Sequence, residues 1–214
     1  MTNAKTILVL WSGGADSTCL IEQCVADPQY ETVLAGYVYV ANNEDKAASE
    51  LAAIAKMFPM LAARGKFAYL GVLLQIHLTK TNPNLAFKQI PIWLLSLIEA
   101  VHPPVDEVAL GYIRNPHPEV EDAASHLDDL QRIYAAYQPL MHRPLPRLVF
   151  PIAGLTKQEI LQRISPELSA ECVYCEHPVK ETGGFRPCGK CRLCQQRTRD
   201  LADASGERVF APPT

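Results

Sequence analysis

Short apolar runs rich in β-branched residues alternate with longer stretches of helical period from Lys5 to Ile164. Lys5–Trp11 (KTILVLW) reads as a buried strand, and Ser17–Ala26 resumes helical spacing with Leu20, Ile21, Cys24 and Val25. Thr32–Val40 is a second strand, Asp45–Phe58 an alanine-rich helix and Lys66–His77 a third strand whose far end passes into a loop. Ile90–Val101 is a strongly apolar helix that tolerates Pro91 in its first turn. Asp106–Ile113 is a fourth strand, Glu119–Tyr137 a polar helix with Leu127, Leu130, Ile133 and Tyr134 on one face, and Arg147–Ile152 a fifth strand. Thr156 and Glu159 form a capping box for a helix over Lys157–Ile164.

This order predicts an α/β fold: a parallel five-stranded sheet with helices on both faces. Ligands of such folds bind beyond the carboxyl ends of the strands, where the strand order reverses. The first strand ends there in Leu10-Trp11-Ser12-Gly13-Gly14-Ala15-Asp16-Ser17-Thr18. Gly13 and Gly14 admit positive φ and a close backbone approach. The helix that follows offers free N–H groups and the positive end of its dipole, and the hydroxyls of Ser12, Ser17 and Thr18 add donors. Together they make a phosphate site. A carboxylate at Asp16 repels phosphate, so it serves either as a helix cap or as a ligand for Mg²⁺.

Seven cysteines change the picture of the remainder. Cys19 and Cys24 lie in the first helix and read as packing residues. Cys172, Cys175, Cys188, Cys191 and Cys194 crowd the end of the chain, and an odd count without a secretion pattern favours a metal over disulfides. The run Cys188-Gly189-Lys190-Cys191-Arg192-Leu193-Cys194 supplies three thiols in overlapping hooks. Tetrahedral Zn²⁺ needs a fourth, which Cys172 or Cys175 can provide. An iron–sulfur cluster and a redox Cys-x-x-Cys are the chemical rivals. The organisation expected is therefore a nucleotide-binding domain over 1–165 and a zinc-binding segment over 166–214.

The chain has 214 residues and a net charge of −3, which argues against a protein that coats nucleic acid broadly. No apolar run has the roughly 18–20 residues that span a bilayer, and no basic region followed by a long apolar one opens the chain. A cytoplasmic location is the expectation.

The loop Ser12-Gly13-Gly14-Ala15-Asp16-Ser17 resembles the pyrophosphate loop of the N-type ATP pyrophosphatases, the PP-loop superfamily of adenine nucleotide alpha-hydrolase-like fold. With Leu155-Thr156-Lys157-Gln158-Glu159-Ile160 and Cys188-Gly189-x-Cys191-x-x-Cys194 followed by Arg197, the chain resembles the 7-cyano-7-deazaguanine synthases of queuosine-type metabolism. The resemblance implies Cys175 as the first zinc ligand, a homodimer, and ATP with Mg²⁺ and Zn²⁺ as cofactors. It implies adenylation of 7-carboxy-7-deazaguanine, amide formation with ammonia, and dehydration to the nitrile with a second ATP. The substrate half departs from the family. Ile92-Trp93 follows Pro91 in place of an Arg-Asn pair, and Val40-Ala41-Asn42-Asn43 replaces a Tyr-Gly-Gln-Arg-like turn. Gly111-Tyr112-Ile113-Arg114-Asn115-Pro116 stands where a Tyr-Pro-Asp-Cys-Arg-like segment is usual.

On this reading Ser12, Asp16 and Ser17 serve catalysis. Leu10, Ser12, Gly13, Gly14, Asp16, Ser17, Thr18, Tyr39, Val40, Gly111 and Lys157 bind the nucleotide. The adenine lies against 38–40, and Gly111 permits close approach of ligand. Arg114 is either a fork for a substrate carboxylate or a solvated loop residue. His77 and His117 are loop residues, and Trp93, Tyr134 and Tyr137 are core. Three rival functions stay open: a divergent relative in phage or antiphage defence, a zinc module that binds RNA or protein through Lys190, Arg192, Arg197 and Arg199, and a tRNA-modifying pyrophosphatase.

Overall fold

The structure is a computed structural model that describes residues 4–41, 43–76, 94–99, 101, 104–114 and 126–205. Asn42, His77, Trp93 and His117 lie outside the described residues, as do the first parts of the expected helices over 90–101 and 119–137. In chain order the elements are β1 (Lys5–Leu10), α1 (Ala15–Ala26), β2 (Tyr30–Val40), α2 (Glu44–Ala62), β3 (Phe67–Ile76), a helical stretch α3 over 94–99, β4 (Glu107–Ala109), α4 (Leu127–Ala136), β5 (Arg147–Val149) and α5 (Lys157–Arg163). Then come α6 (Pro166–Glu171), a hairpin of β6 (Val179–Glu181) and β7 (Gly184–Arg186), and α7 (Arg192–Ser205).

Five strands form one parallel sheet in the order β3-β2-β1-β4-β5. Side chains of a strand point alternately to its two faces, and β1 divides its apolar residues accordingly. Ile7 and Val9 enter a core shared with Leu20 and Ile21 of α1, Ile54 and Met57 of α2, and Ile160 of α5. Leu8 enters a second core with Leu94, Leu97 and Ile98 of α3, and Leu130 and Tyr134 of α4. Both faces of β1 are thus buried, which is why it reads as an unbroken apolar run. Leu168 of α6 and Cys172 extend the first core, so the start of the C-terminal segment is packed against the sheet.

The strand order reverses between β1 and β4, which places the loop after β1 at the switch point of the sheet. Boundaries differ from expectation in ways that matter there. β4 and β5 are three residues each, and residues 110–114 leave the sheet as a loop. Pro151 carries no N–H to extend a ladder beyond β5. The Thr156–Glu159 capping box is present in both directions. Helix α2 runs through Pro59 to Ala62, four residues beyond the expected end.

At the opposite edge of the sheet a buried carboxylate ties four strands together. Glu107 is 2% exposed and accepts from Lys5 Nζ at 2.8 Å, Tyr30 Oη at 2.8 Å and Arg147 Nη2 at 2.7 Å. Burial pushes its pKa up, but these three donors outweigh burial and hold it below the ordinary 4.5. A group with a depressed folded pKa stabilises fully above its unfolded value. This contribution should therefore be complete above about pH 4.5 and fade as the pH falls through the lower folded value. Replacing Lys5→Met together with Arg147→Met should destabilise by about 3 kcal/mol at neutral pH. That is the low end for a stranded buried charge, because both cations reach solvent. Urea unfolding of the pair and of each single variant checks the figure.

Candidate functional site

The glycine loop is shaped by contacts behind it. Gly13 has φ +70°, and a Cβ placed there would lie 2.9 Å from the Glu50 carbonyl of α2. Only glycine fits this position. Gly14 is the N-cap of α1 with φ −86°, and it gives α1 no side-chain cap. Ser17 Oγ receives the Ser12 N–H at 3.2 Å, lies 3.2 Å from Ser12 Oγ and donates to the Gly14 carbonyl at 3.3 Å. These bonds fix the turn and present the first N–H groups of α1 at the carboxyl edge of the sheet.

In front of the loop lies a cleft of about 560 Å³. Ser12, Gly14, Ala15 and Asp16 form its floor, and Gly111–Arg114 from the loop after β4 form one side. Thr156–Gln158 at the start of α5, Val173–Cys175 and the first half of α7 complete it, with Lys46 and Glu50 of α2 on the remaining wall. The cations Lys46, Arg114, Lys157, Arg192 and Arg197 line it against the carboxylates Asp16, Glu50 and Asp200. The balance is positive, which suits an anionic ligand.

Several expected roles are relocated. Thr18 is fully buried; its hydroxyl receives the Trp11 indole N–H at 2.9 Å and points toward Met57, so it braces the core and offers nothing to a ligand. Asp16 makes no cap bond. It pairs with Lys157 Nζ at 2.7 Å, which joins the first turns of α1 and α5. The tight approach at Gly111 is to the backbone of Ser17, 3.3 Å from where a Cβ would sit, although Gly111 also faces the cleft. Leu10 packs in the second core. Tyr39 packs against the first core and stacks edge-on with Tyr37. Leu10, Tyr39 and Val40 are not among the described residues that line the cleft. Arg114 lines the cleft and donates its backbone N–H to Leu155. Cys19, Cys24 and Tyr134 are buried core residues.

Glu50 is a wall residue that the helical pattern of α2 does not distinguish from its neighbours. It accepts from Tyr37 Oη at 2.6 Å, and burial raises its pKa. Its proximity to the loop follows from the Tyr37–Glu50 contact between β2 and α2 and from the Gly13–Glu50 approach, and only the glycine at position 13 hints at it in the sequence.

The cysteines divide in two. Cys172 lies in the core, its Sγ 3.9 Å from Met57 Sδ, and burial pushes its thiol up to about 11. Cys175, Cys188, Cys191 and Cys194 bring their Sγ atoms within 4.8 Å of one another. Gly189 at φ +74° turns the chain so that successive amides face the thiols. The Cys188, Cys191 and Cys194 N–H groups donate to Cys175, Cys188 and Cys191 Sγ at 3.2, 3.3 and 3.4 Å. The backbone N–H of Lys190 helps hold the Cys188 thiol down to about 6, whereas burial pushes Cys194 up to about 12. Four sulfurs this close all ionise only around a cation. Cys175 belongs to both sites, since it also lines the cleft.

No helix among the described residues is long and apolar enough to cross a membrane. No protein-family model and no curated protein matches the chain. Among solved structures it is similar to the U34-tRNA thiolase NcsA from Methanococcus maripaludis with its [4Fe-4S] cluster, at 16% identity and a TM-score of 0.48. That match covers 98% of this chain and 67% of the other.

Proposed function

We propose that the chain is an ATP-dependent adenylating enzyme of the PP-loop type that releases pyrophosphate and acts on a 7-deazapurine carboxylic acid. The observation that carries this reading is the glycine loop at the switch point of the sheet, open to a cation-lined cleft. Ser12, Gly13, Gly14 and Ser17 with the N-terminus of α1 hold the β- and γ-phosphates. Donors fixed in advance stabilise charge as it develops on the leaving pyrophosphate. A carboxylate oxygen of the acid attacks the α-phosphorus, and the bond from that phosphorus to the bridging oxygen breaks. Ammonia then attacks the acyl carbon, AMP leaves and a proton is lost, which gives the amide. A second ATP adenylates the amide oxygen with release of pyrophosphate, and loss of AMP and both amide N–H protons gives the nitrile. The divergent loops after β2 and β4 select the acid.

The thiol group fits Zn²⁺. Bonds of about 2.3 Å in a tetrahedron put sulfurs about 3.8 Å apart, and Cys175–Cys191 and Cys188–Cys194 both stand at 3.9 Å. A cubane cluster sets its thiolates on separate irons and needs a wider spread. The zinc holds the C-terminal segment in place. Asp16 is the carboxylate of the loop that would hold Mg²⁺ with the phosphates. The protein works in the cytoplasm, as a homodimer by family resemblance.

The test is product analysis. Zinc-loaded protein supplied with 7-carboxy-7-deazaguanine, ATP and ammonia should yield the amide and the nitrile by mass spectrometry, with AMP and pyrophosphate. Consumption of ATP to ADP and phosphate would contradict the adenylation reading.

A further inference from the structure

One cation of the cleft is set apart by its burial. Arg197 is 8% exposed and yet lines the cleft. Its guanidinium lies 5.5 Å from the centroid of the Tyr174 ring, within cation–π range. Nη2 donates to Ser169 Oγ at 3.3 Å, while Nε is buried and has no hydrogen-bond partner among the described residues. An arginine keeps its charge whatever its surroundings. Leaving one of its buried donors unmet is costly, and such a group points to a missing acceptor.

The position of that donor is informative. The carbonyl of Val173 is 3.4 Å from the place a Gly14 Cβ would occupy, and the Val173 N–H donates to the Gly13 carbonyl at 3.0 Å. Tyr174 follows directly, so Arg197 stands one residue along the wall from the phosphate loop. Lys157 is already engaged by Asp16. Arg192 and Gln196 face the cleft from the same side of α7.

We propose that Arg197 is an oxyanion-binding residue of the cleft, taking a phosphate of the nucleotide or the carboxylate of the acid. The guanidinium fork, held over the Tyr174 ring, meets such a group with charge-assisted hydrogen bonds. This assignment rests on the reading of the cleft as an ATP site. It makes α7, which the hydrophobic pattern does not reveal, a functional wall as well as the end of the metal knuckle.

Calorimetric titration of the zinc-loaded full chain tests it, with wild type, Arg197→Gln and Arg197→Lys compared. The probes are pyrophosphate, a non-hydrolysable ATP analogue, and 7-carboxy-7-deazaguanine added after that analogue. Arg197→Gln should weaken at least one probe by about tenfold or more, and Arg197→Lys, which keeps the charge without the fork, by about threefold. Loss toward pyrophosphate and the analogue identifies a phosphate as the partner, and loss toward the acid alone identifies its carboxylate. Zinc content and melting temperature show that each variant is folded, and Arg197→Lys decides the matter if the glutamine variant is not. Unchanged affinities in a folded variant overturn the proposal while leaving the ATP reading intact. A wild-type chain that binds none of the probes overturns the ATP reading and the assignment with it.

Discussion

Chelation of the metal should cost the protein α7 and the cleft together. Helix α7 is mostly polar (RLCQQRTRDLADAS), and among its residues of described burial Cys194 is the buried apolar one. Its place against α5 therefore depends on the knuckle from which it springs. Binding of structural zinc supplies roughly 10 kcal/mol or more, and that energy is folding energy. Without it the four thiols repay no ordering of residues 173–205. The sheet has its own two cores and remains. Far-UV circular dichroism should show a partial loss of helix as about one zinc per chain is released, and near-UV signals from the buried Trp11 should persist. Replacing Cys194→Ser should reproduce the loss. Because Cys175 and the Arg192–Arg197 face belong to the cleft, nucleotide affinity should fall with the metal. Intact helicity in metal-free protein would show that the segment stands without a cation.

Placing a methyl group on Gly13 should abolish activity while a methyl group on Gly14 should not unfold the loop. At Gly13 an alanine meets two penalties. It must hold φ +70°, and its Cβ meets the Glu50 carbonyl at 2.9 Å, backbone that cannot turn aside. Strain of this kind costs on the order of 1–3 kcal/mol. Relief of the clash shifts the loop away from α2 and misaims the N–H groups at the start of α1. Loss of one aligned donor at a developing anion costs about 100- to 1,000-fold in rate, so Gly13→Ala should lower pyrophosphate release by at least about 100-fold. At Gly14, φ is −86° and the nearest atoms are 3.4 Å away, an ordinary contact. Gly14→Ala should keep its melting temperature and lose affinity only through the methyl group it adds to the cleft. Steady-state rates and thermal melts on both variants separate fold from function.

The alternation of periods made the sheet legible, because each central strand is buried on both faces and each helix on one. The turn Ser12–Ser17 was legible because two glycines after a buried strand have few structural alternatives. The roles inside the turn were not. Thr18 looks like a phosphate donor in the sequence, but one residue further along α1 rotates it about 100° away from Ser17 and into Trp11. The ion pair of Asp16 with Lys157 leaves no trace in local spacing, because the two are 141 residues apart. The choice of Cys175 over Cys172 depended on where α6 ends, a detail that spacing does not fix. Helix α6 is six residues with one buried side chain, Leu168, too short to show a period, and the β6–β7 hairpin and α7 carry little hydrophobic period because few of their described side chains enter a core.

On the proposed function, the loop after β1 carries ATP for adenylation. Exchange of labelled pyrophosphate into ATP, dependent on 7-carboxy-7-deazaguanine or a related 7-deazapurine acid, measures that step alone. Acid-dependent exchange is expected in the zinc-loaded chain, with its loss in Gly13→Ala. Absence of exchange with every such acid, in protein that is folded and zinc-loaded, would contradict it.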